Sequence, residues 1–349
     1  MLPRSSFLPL CRSFSTATHN LGTRSGVQPP PREQLLATAS WVAKQIEAEG
    51  FRATDRATSE HEHVLIDCAA EPLFVRGRIP GSQRLGHHAF LKAAWPPVDG
   101  AEHDNVPVRS DKFHDLMEEL GIGPETRVVV YDDANALEAT RVRWVLQYYG
   151  HRHVRVLDGG WKGWVSQGGK VETGAVTPTK QRVKQWSRKQ PQRIAGLAAV
   201  LEASGSGTSG GEEDCGAAQL VDARSTAEFI GVNAMGNSSP GRVPEALHCE
   251  WISAIDSQTH CFRPQEKLRA FFDKRGVDLG QPLITYCQAG IRAAHTAFSL
   301  ELCGAAAVRV YDASMKEYLN QESTPKVVGT SSPQSSGRLA YGYRDTPAQ

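Results

Sequence analysis

The sequence predicts an α/β architecture used twice, each unit a parallel sheet flanked by helices, and three observations point to it. Short apolar runs recur in the same order in both halves: His63-Val-Leu-Ile-Asp67 and Gln219-Leu-Val-Asp222, Val128-Val-Val-Tyr131 and Leu283-Ile-Thr-Tyr286, Val154-Arg-Val-Leu157 and Val308-Arg-Val-Tyr311. The spacing is kept, since Asp67 to Asp132 and Asp222 to Cys287 are each 65 residues, which marks one fold repeated. Between the last two runs of each half lies a helical stripe, so strand, helix and strand alternate at the length of a parallel crossover.

At the amino terminus, Met1 to Arg32 carries no acidic residue, while Arg4, Arg12, Arg24 and Arg32 are spread among serines. That pattern reads as an organelle transit peptide over residues 1–32, mitochondrial first and plastid second. The first α/β unit is expected over 38–167. In it, Val128 to Tyr131 is apolar on both faces, as suits a strand covered on both sides. Val142, Val145, Leu146 and Tyr149 then fall on one helical face, with Gly150 at the cap. A basic linker follows at 168–193, holding Lys170, Lys180, Arg182, Lys184, Arg188, Lys189 and Arg193. Its shortage of interleaved aromatics favours an interdomain strap over a nucleic-acid contact. The second unit is expected over 194–325, interrupted by a Gly/Ser-rich loop at 205–216. Here Ile291, Ala294, Phe298 and Leu302 form the stripe and Gly304 the cap. Residues 326–349, rich in Ser, Thr, Pro and Gly, read as a flexible tail.

The chain of 349 residues has 39 Lys and Arg against 38 Asp and Glu. A net charge of +1 argues against bulk-charge binding of nucleic acid, and no apolar run is long enough to predict a membrane-spanning helix. Seven cysteines without a Cys-x-x-Cys pair make neither a disulfide framework nor a zinc site. The His248-Cys249 and His260-Cys261 dipeptides lack ligand spacing. No metal and no cofactor is therefore expected.

In an open parallel sheet, ligands collect beyond the carboxyl ends of the strands, and Cys287 falls there, in Cys287-Gln-Ala-Gly-Ile-Arg292. A short loop feeding a helix directs several backbone amides at one point, which binds an anion and lowers a thiol pKa. Gly290 allows the tight turn. Arg292 can fork onto an oxyanion. Arg224, just past the strand ending at Asp222, is either a second anion contact or a structural brace paired with Asp222 or Glu228. His295 lies inside the following helix and is read as structural.

The repeated strand-Asp, the Gly-x-Ile/Val-Pro turn, Tyr-Cys-x-x-Gly-x-Arg-x-x-His and Tyr-Asp-x-Ser-x-x-Glu-Tyr resemble the two-domain rhodanese family, the thiosulfate and 3-mercaptopyruvate sulfurtransferases. The resemblance covers about residues 38 to 325. It implies tandem rhodanese-like domains, a persulfide on Cys287, and a silent first half, because Asp132 takes the place of the cysteine. It also implies that the amides of Gln288, Ala289, Gly290 and Ile291 cradle the persulfide. The donor would be thiosulfate, with 3-mercaptopyruvate second. The acceptor would be cyanide, a small thiol or a reduced thioredoxin-type protein. Gln288 and Ala289 match neither the Cys-Gly-Ser/Thr-Gly-Val-Thr loop of the mercaptopyruvate enzymes nor the Cys-Arg-Lys-Gly-Val-Thr loop of vertebrate-type thiosulfate enzymes. Cys-x-x-Gly-x-Arg instead resembles bacterial and fungal thiosulfate sulfurtransferases. A related phosphatase would need five residues between Cys and Arg where this chain has four, and a non-enzymatic sulfur carrier or binding module is the remaining alternative.

Overall fold

The computed structural model describes residues 30–48, 63–85, 110–174, 189–206 and 218–330. Residues 1–29, most of the linker, nearly all of the Gly/Ser-rich loop and the end of the tail lie outside the described residues, and the transit-peptide reading lies there with them.

The first half runs α1 (Arg32–Leu35), β1 (Leu36–Ala37), α2 (Ala39–Ala48), β2 (His63–Asp67), α3 (Glu71–Arg76), β3 (Gln83–Arg84), α4 (Ser110–Leu120), β4 (Arg127–Tyr131), α5 (Leu137–Tyr148), β5 (Val154–Leu157) and α6 (Gly160–Ser166). The second runs β6 (Ile194–Ala195), α7 (Leu197–Ala203), β7 (Gln219–Asp222), α8 (Thr226–Phe229), β8 (Leu247–His248), α9 (Gln265–Asp273), β9 (Leu283–Tyr286), α10 (Ile291–Leu302), β10 (Val308–Tyr311) and α11 (Ser314–Tyr318). The two five-stranded sheets have the same order, β1-β5-β4-β2-β3 and β6-β10-β9-β7-β8. Every strand pair is parallel. The six anticipated strands are present. The two-residue strands at the sheet edges were not anticipated, because two residues carry no periodicity to read.

Register repeats as well: Asp67 lies opposite Tyr131 and Asp222 opposite Tyr286. Asp132 and Cys287 therefore both emerge at the carboxyl end of the middle strand of their sheets. Val64 to Asp67 and Leu283 to Tyr286 are buried without interruption, as a strand covered on both faces requires.

The helix α5 departs from its predicted one-sided burial. Every residue from Ala139 to Tyr148 is buried, including Arg141, Arg143 and Gln147, because α10 of the second half packs along it, with Arg143 against Glu301 and Phe298. The largest apolar cluster accordingly contains Val130, Val156, Val142 and Val145 of the first half together with Val221, Val310, Ala294 and Phe298 of the second. The outer faces have separate clusters around Val42 and Trp164 and around Val200 and Met315. Among the described residues, no helix is long and apolar enough to cross a membrane.

Candidate active site

The end of β9 delivers Cys287 into a four-residue bend before α10 begins at Ile291. The cysteine is buried, and its Sγ accepts hydrogen bonds from the amides of Gly290 (3.0 Å) and Ala289 (3.4 Å). Two of the four amides expected to surround the sulfur thus point at it in the resting protein.

The bend is fixed from behind by the start of α11. Ser314 Oγ accepts from the Cys287 amide at 3.1 Å, Met315 N donates to the Cys287 carbonyl, and Lys316 N donates to that of Gln288. Ser314 holds a left-handed φ of 54°, a conformation that side chains other than glycine rarely adopt. Gly290 is dictated by sterics: at φ 84° a Cβ would run into the Asp312 carboxylate and lie 2.8 Å from the Asp312 carbonyl oxygen. Asp312 in turn is paired at 2.6 Å with the fully buried Arg141 of α5, so the first half braces the residue that lies against the loop.

Around this bend the predicted residues divide by role. Gln288 exchanges both of its amide groups with Asn237, at 3.0 and 3.1 Å, and Asn237 also accepts from Asn320. Arg292 forks onto Glu228, with its two terminal nitrogens donating at 2.7 and 2.8 Å, and its side chain is 20% exposed. Glu228 sits in a capping box at the start of α8, accepting from Ser225 Oγ at 2.7 Å and from the Ser225 amide. Burial alone would raise the Glu228 carboxyl, but Arg292 and Ser225 outweigh it and bring it down to about 2.

Arg224 takes the second of its two anticipated roles. It is 1% exposed, its Nε and Nη2 donate to Asp222, and Nη2 also reaches the Gly241 carbonyl at 2.9 Å. Both charged groups are dry and mutually satisfied, the geometry of a brace at the end of β7. His295 is also structural in position: fully buried on α10, stacked on Phe262 and edge-on to Trp251, with Nε2 3.2 Å from the Asn135 carbonyl of the first half. Burial pulls its pKa down to about 3.

The corresponding bend of the first half is already filled. Asp132 Oδ1 accepts from the amides of Ala134 and Ala136, and Oδ2 from those of Glu138 and Ala139, all at 2.8 to 2.9 Å. The loop is an anion nest whose anion is its own side chain. Burial pushes the Asp132 carboxyl above the ordinary carboxylate range while the four amides pull against it. Glu138 is the second residue of α5, as Arg292 is of α10, and burial beside Asp132 pushes its carboxyl up to about 7. Asn135, in the same bend, is held from the second half by His260 and His295. This loop has neither a nucleophilic sulfur nor a free anion site.

Sequence reasoning did not find Glu228, Ser314, Asn237 or Asp312 as parts of the site. Of these, Glu228 had a local signal in the Ser225-x-x-Glu228 capping box, and Asp312 and Ser314 stood in the Tyr-Asp-x-Ser-x-x-Glu-Tyr motif without being linked to the cysteine loop.

Comparison with known proteins agrees with the repeated fold. The family model for the rhodanese-like domain matches residues 38–167 and 211–321. The chain is 28% identical to the sulfur carrier protein TtuD of Thermus thermophilus, over 85% of this chain and 97% of that protein. It is 26% identical to the thiosulfate sulfurtransferase of Gallus gallus, over 82% and 94%, and 27% identical to the 3-mercaptopyruvate sulfurtransferase of Mus musculus, over 83% and 93%. Among solved structures, an anaerobic ergothioneine biosynthesis enzyme from Chlorobium limicola shares the fold with a TM-score of 0.70 at 22% identity, over 86% of this chain and 71% of that one.

Proposed function

The chain belongs to the rhodanese family, and from that premise we propose that it moves the outer sulfur of thiosulfate through a persulfide on Cys287 to cyanide or a thiol. The observation that carries this reading is the Cys287 sulfur itself, held at the end of the middle strand with the amides of Ala289 and Gly290 directed at it.

The Cys287 thiolate attacks the outer sulfur of thiosulfate. A new sulfur–sulfur bond forms, the old one breaks, and sulfite leaves with the bonding pair. The persulfide anion left on Cys287 sits where preorganised amide dipoles stabilise it at no further cost in reorganisation. The first half supports this assignment by analogy within the molecule, since four amides of the equivalent bend already hold a carboxylate there. In the second half-reaction a nucleophile attacks the terminal sulfur: cyanide leaves as thiocyanate, a thiol leaves as a hydropersulfide, and the Cys287 thiolate returns. Arg292 is the contact for the donor's oxyanion end. With 3-mercaptopyruvate, the same thiolate would take the sulfur as the carbon–sulfur bond breaks, and the released enolate would take up a proton to give pyruvate. Thiosulfate is placed first because no cation other than Arg292 stands ready for a carboxylate in the loop.

The likeness to a sulfur carrier supports a second reading, in which the persulfide forms and is handed to a protein acceptor without turnover on small molecules. One experiment separates these readings: steady-state rates with thiosulfate and with 3-mercaptopyruvate, cyanide as acceptor, in wild type and Cys287→Ser. The expected outcome is ping-pong turnover of thiosulfate by the wild type and none by the variant. Turnover that survives Cys287→Ser would defeat the persulfide mechanism. A wild type that forms a persulfide but releases no thiocyanate would leave the carrier reading in its place.

A further inference from the structure

Arg292 is engaged before any donor arrives. Its guanidinium is closed by both oxygens of Glu228 at 2.7 and 2.8 Å, the bidentate arrangement that a sulfonate or carboxylate would also use. We propose that Glu228 is a specificity-determining residue of the donor site, an internal carboxylate that a sulfur donor must displace from Arg292 with an oxyanion of its own. The inference rests on the reading of Arg292 as the donor's contact.

Two features make such an exchange feasible. When Arg292 turns away, one oxygen of the Glu228 carboxylate keeps Ser225 Oγ at 2.7 Å and the Ser225 amide at 3.2 Å, so the buried charge retains two donors. The Arg292 side chain, 20% exposed against 4% for Glu228, is the member of the pair with access to solvent. The guanidinium therefore moves to the ligand while the carboxylate stays.

The first half has taken the same arrangement to its limit. There the competing carboxylate, Asp132, grows from the loop itself and satisfies four amides, and the second residue of the following helix is Glu138 where α10 has Arg292. One half thus carries a permanent internal anion and the other a displaceable one. A donor whose leaving side bears a sulfonate-like group can complete the exchange. A donor without charge leaves the Glu228 clamp closed.

The test uses the full chain with Cys287→Ser, so that thiosulfate binds without reacting, and measures its affinity calorimetrically with Glu228 intact, with Glu228→Gln, and with Glu228→Gln plus Arg292→Ala. Glutamine retains a side-chain acceptor for the cap. Glu228→Gln should tighten thiosulfate about tenfold, the effect of freeing one charge-assisted contact, and the added Arg292→Ala should erase the gain. Equal or weaker binding in Glu228→Gln would overturn the proposal. Thiosulfate bound by none of the proteins would remove the Arg292 anion site itself, and the proposal with it. Ser225→Ala is an independent check: it strips the carboxylate of the shorter of its two alternative partners and should weaken thiosulfate several-fold, whereas unchanged or tighter binding would count against the exchange.

Discussion

Asp132 and Cys287 occupy the same point of the same fold and show how one residue decides whether a loop fills itself with its own carboxylate or presents a sulfur to its amides. The Asp132 carboxylate satisfies four amides, and each buried donor left without an acceptor costs on the order of 1–3 kcal/mol before water refills the space. Asp132→Ala should therefore lower stability by about 3 kcal/mol in a urea melt while leaving kcat per Cys287 thiol close to wild type. A large fall in kcat with stability preserved would show that the first loop takes part in the chemistry. The replacement of a sulfur by a carboxylate in this loop was legible in the sequence, because the 65-residue spacing places Asp132 at the cysteine position. The reason Arg224 turns inward was not: with Asp222 and Glu228 both within reach along the chain, only the fold shows that Asp222 takes it and leaves Glu228 for Arg292.

At the scale of elements, the packing of α5 on α10 holds the two halves together. Arg143 of α5 donates to Glu301 of α10 at 2.8 Å and lies over the Phe298 ring at 4.6 Å, and Arg193 meets the other Glu301 oxygen at 3.0 Å. Burial alone would raise the Glu301 carboxyl, but the two arginines outweigh it and hold it below the ordinary range. Glu301→Ala strands Arg143 in a dry seam, and the expected loss is about 3–5 kcal/mol, read from the midpoint of chemical unfolding. A loss below about 1 kcal/mol would mean that another acceptor replaces Glu301. The helices themselves were legible from their stripes and glycine caps, and Gly150 and Gly304 do adopt left-handed φ values of 94° and 92°. That α5 is covered on every side was not, since the stripe of Val142, Val145, Leu146 and Tyr149 predicts burial of one face only.

For the molecule as a whole, acid should be the sensitive direction for stability. His295 and His151 are buried and neutral, each with its pKa pulled down by burial from 6.5 to about 3. Between about pH 6.5 and 3 the unfolded chain takes up protons that the folded one refuses, so these two residues contribute stability above that window that is lost as pH falls through it. Asp67 and Glu138, raised by burial to about 6 and 7, act in the opposite sense and soften the decline. Replacing the His295 ring, as in His295→Gln, should flatten the fall of the urea midpoint over that range, and an unchanged slope would exclude His295 as the linked group. The shared interior also governs how the chain comes into being. A ribosome completes the first half well before α10 exists, and until then Arg143 has no Glu301 and the apolar surface around Val142 and Val145 has nothing to complete it. Until α10 is made, the nascent first half therefore presents an apolar seam of the kind that drives association during folding.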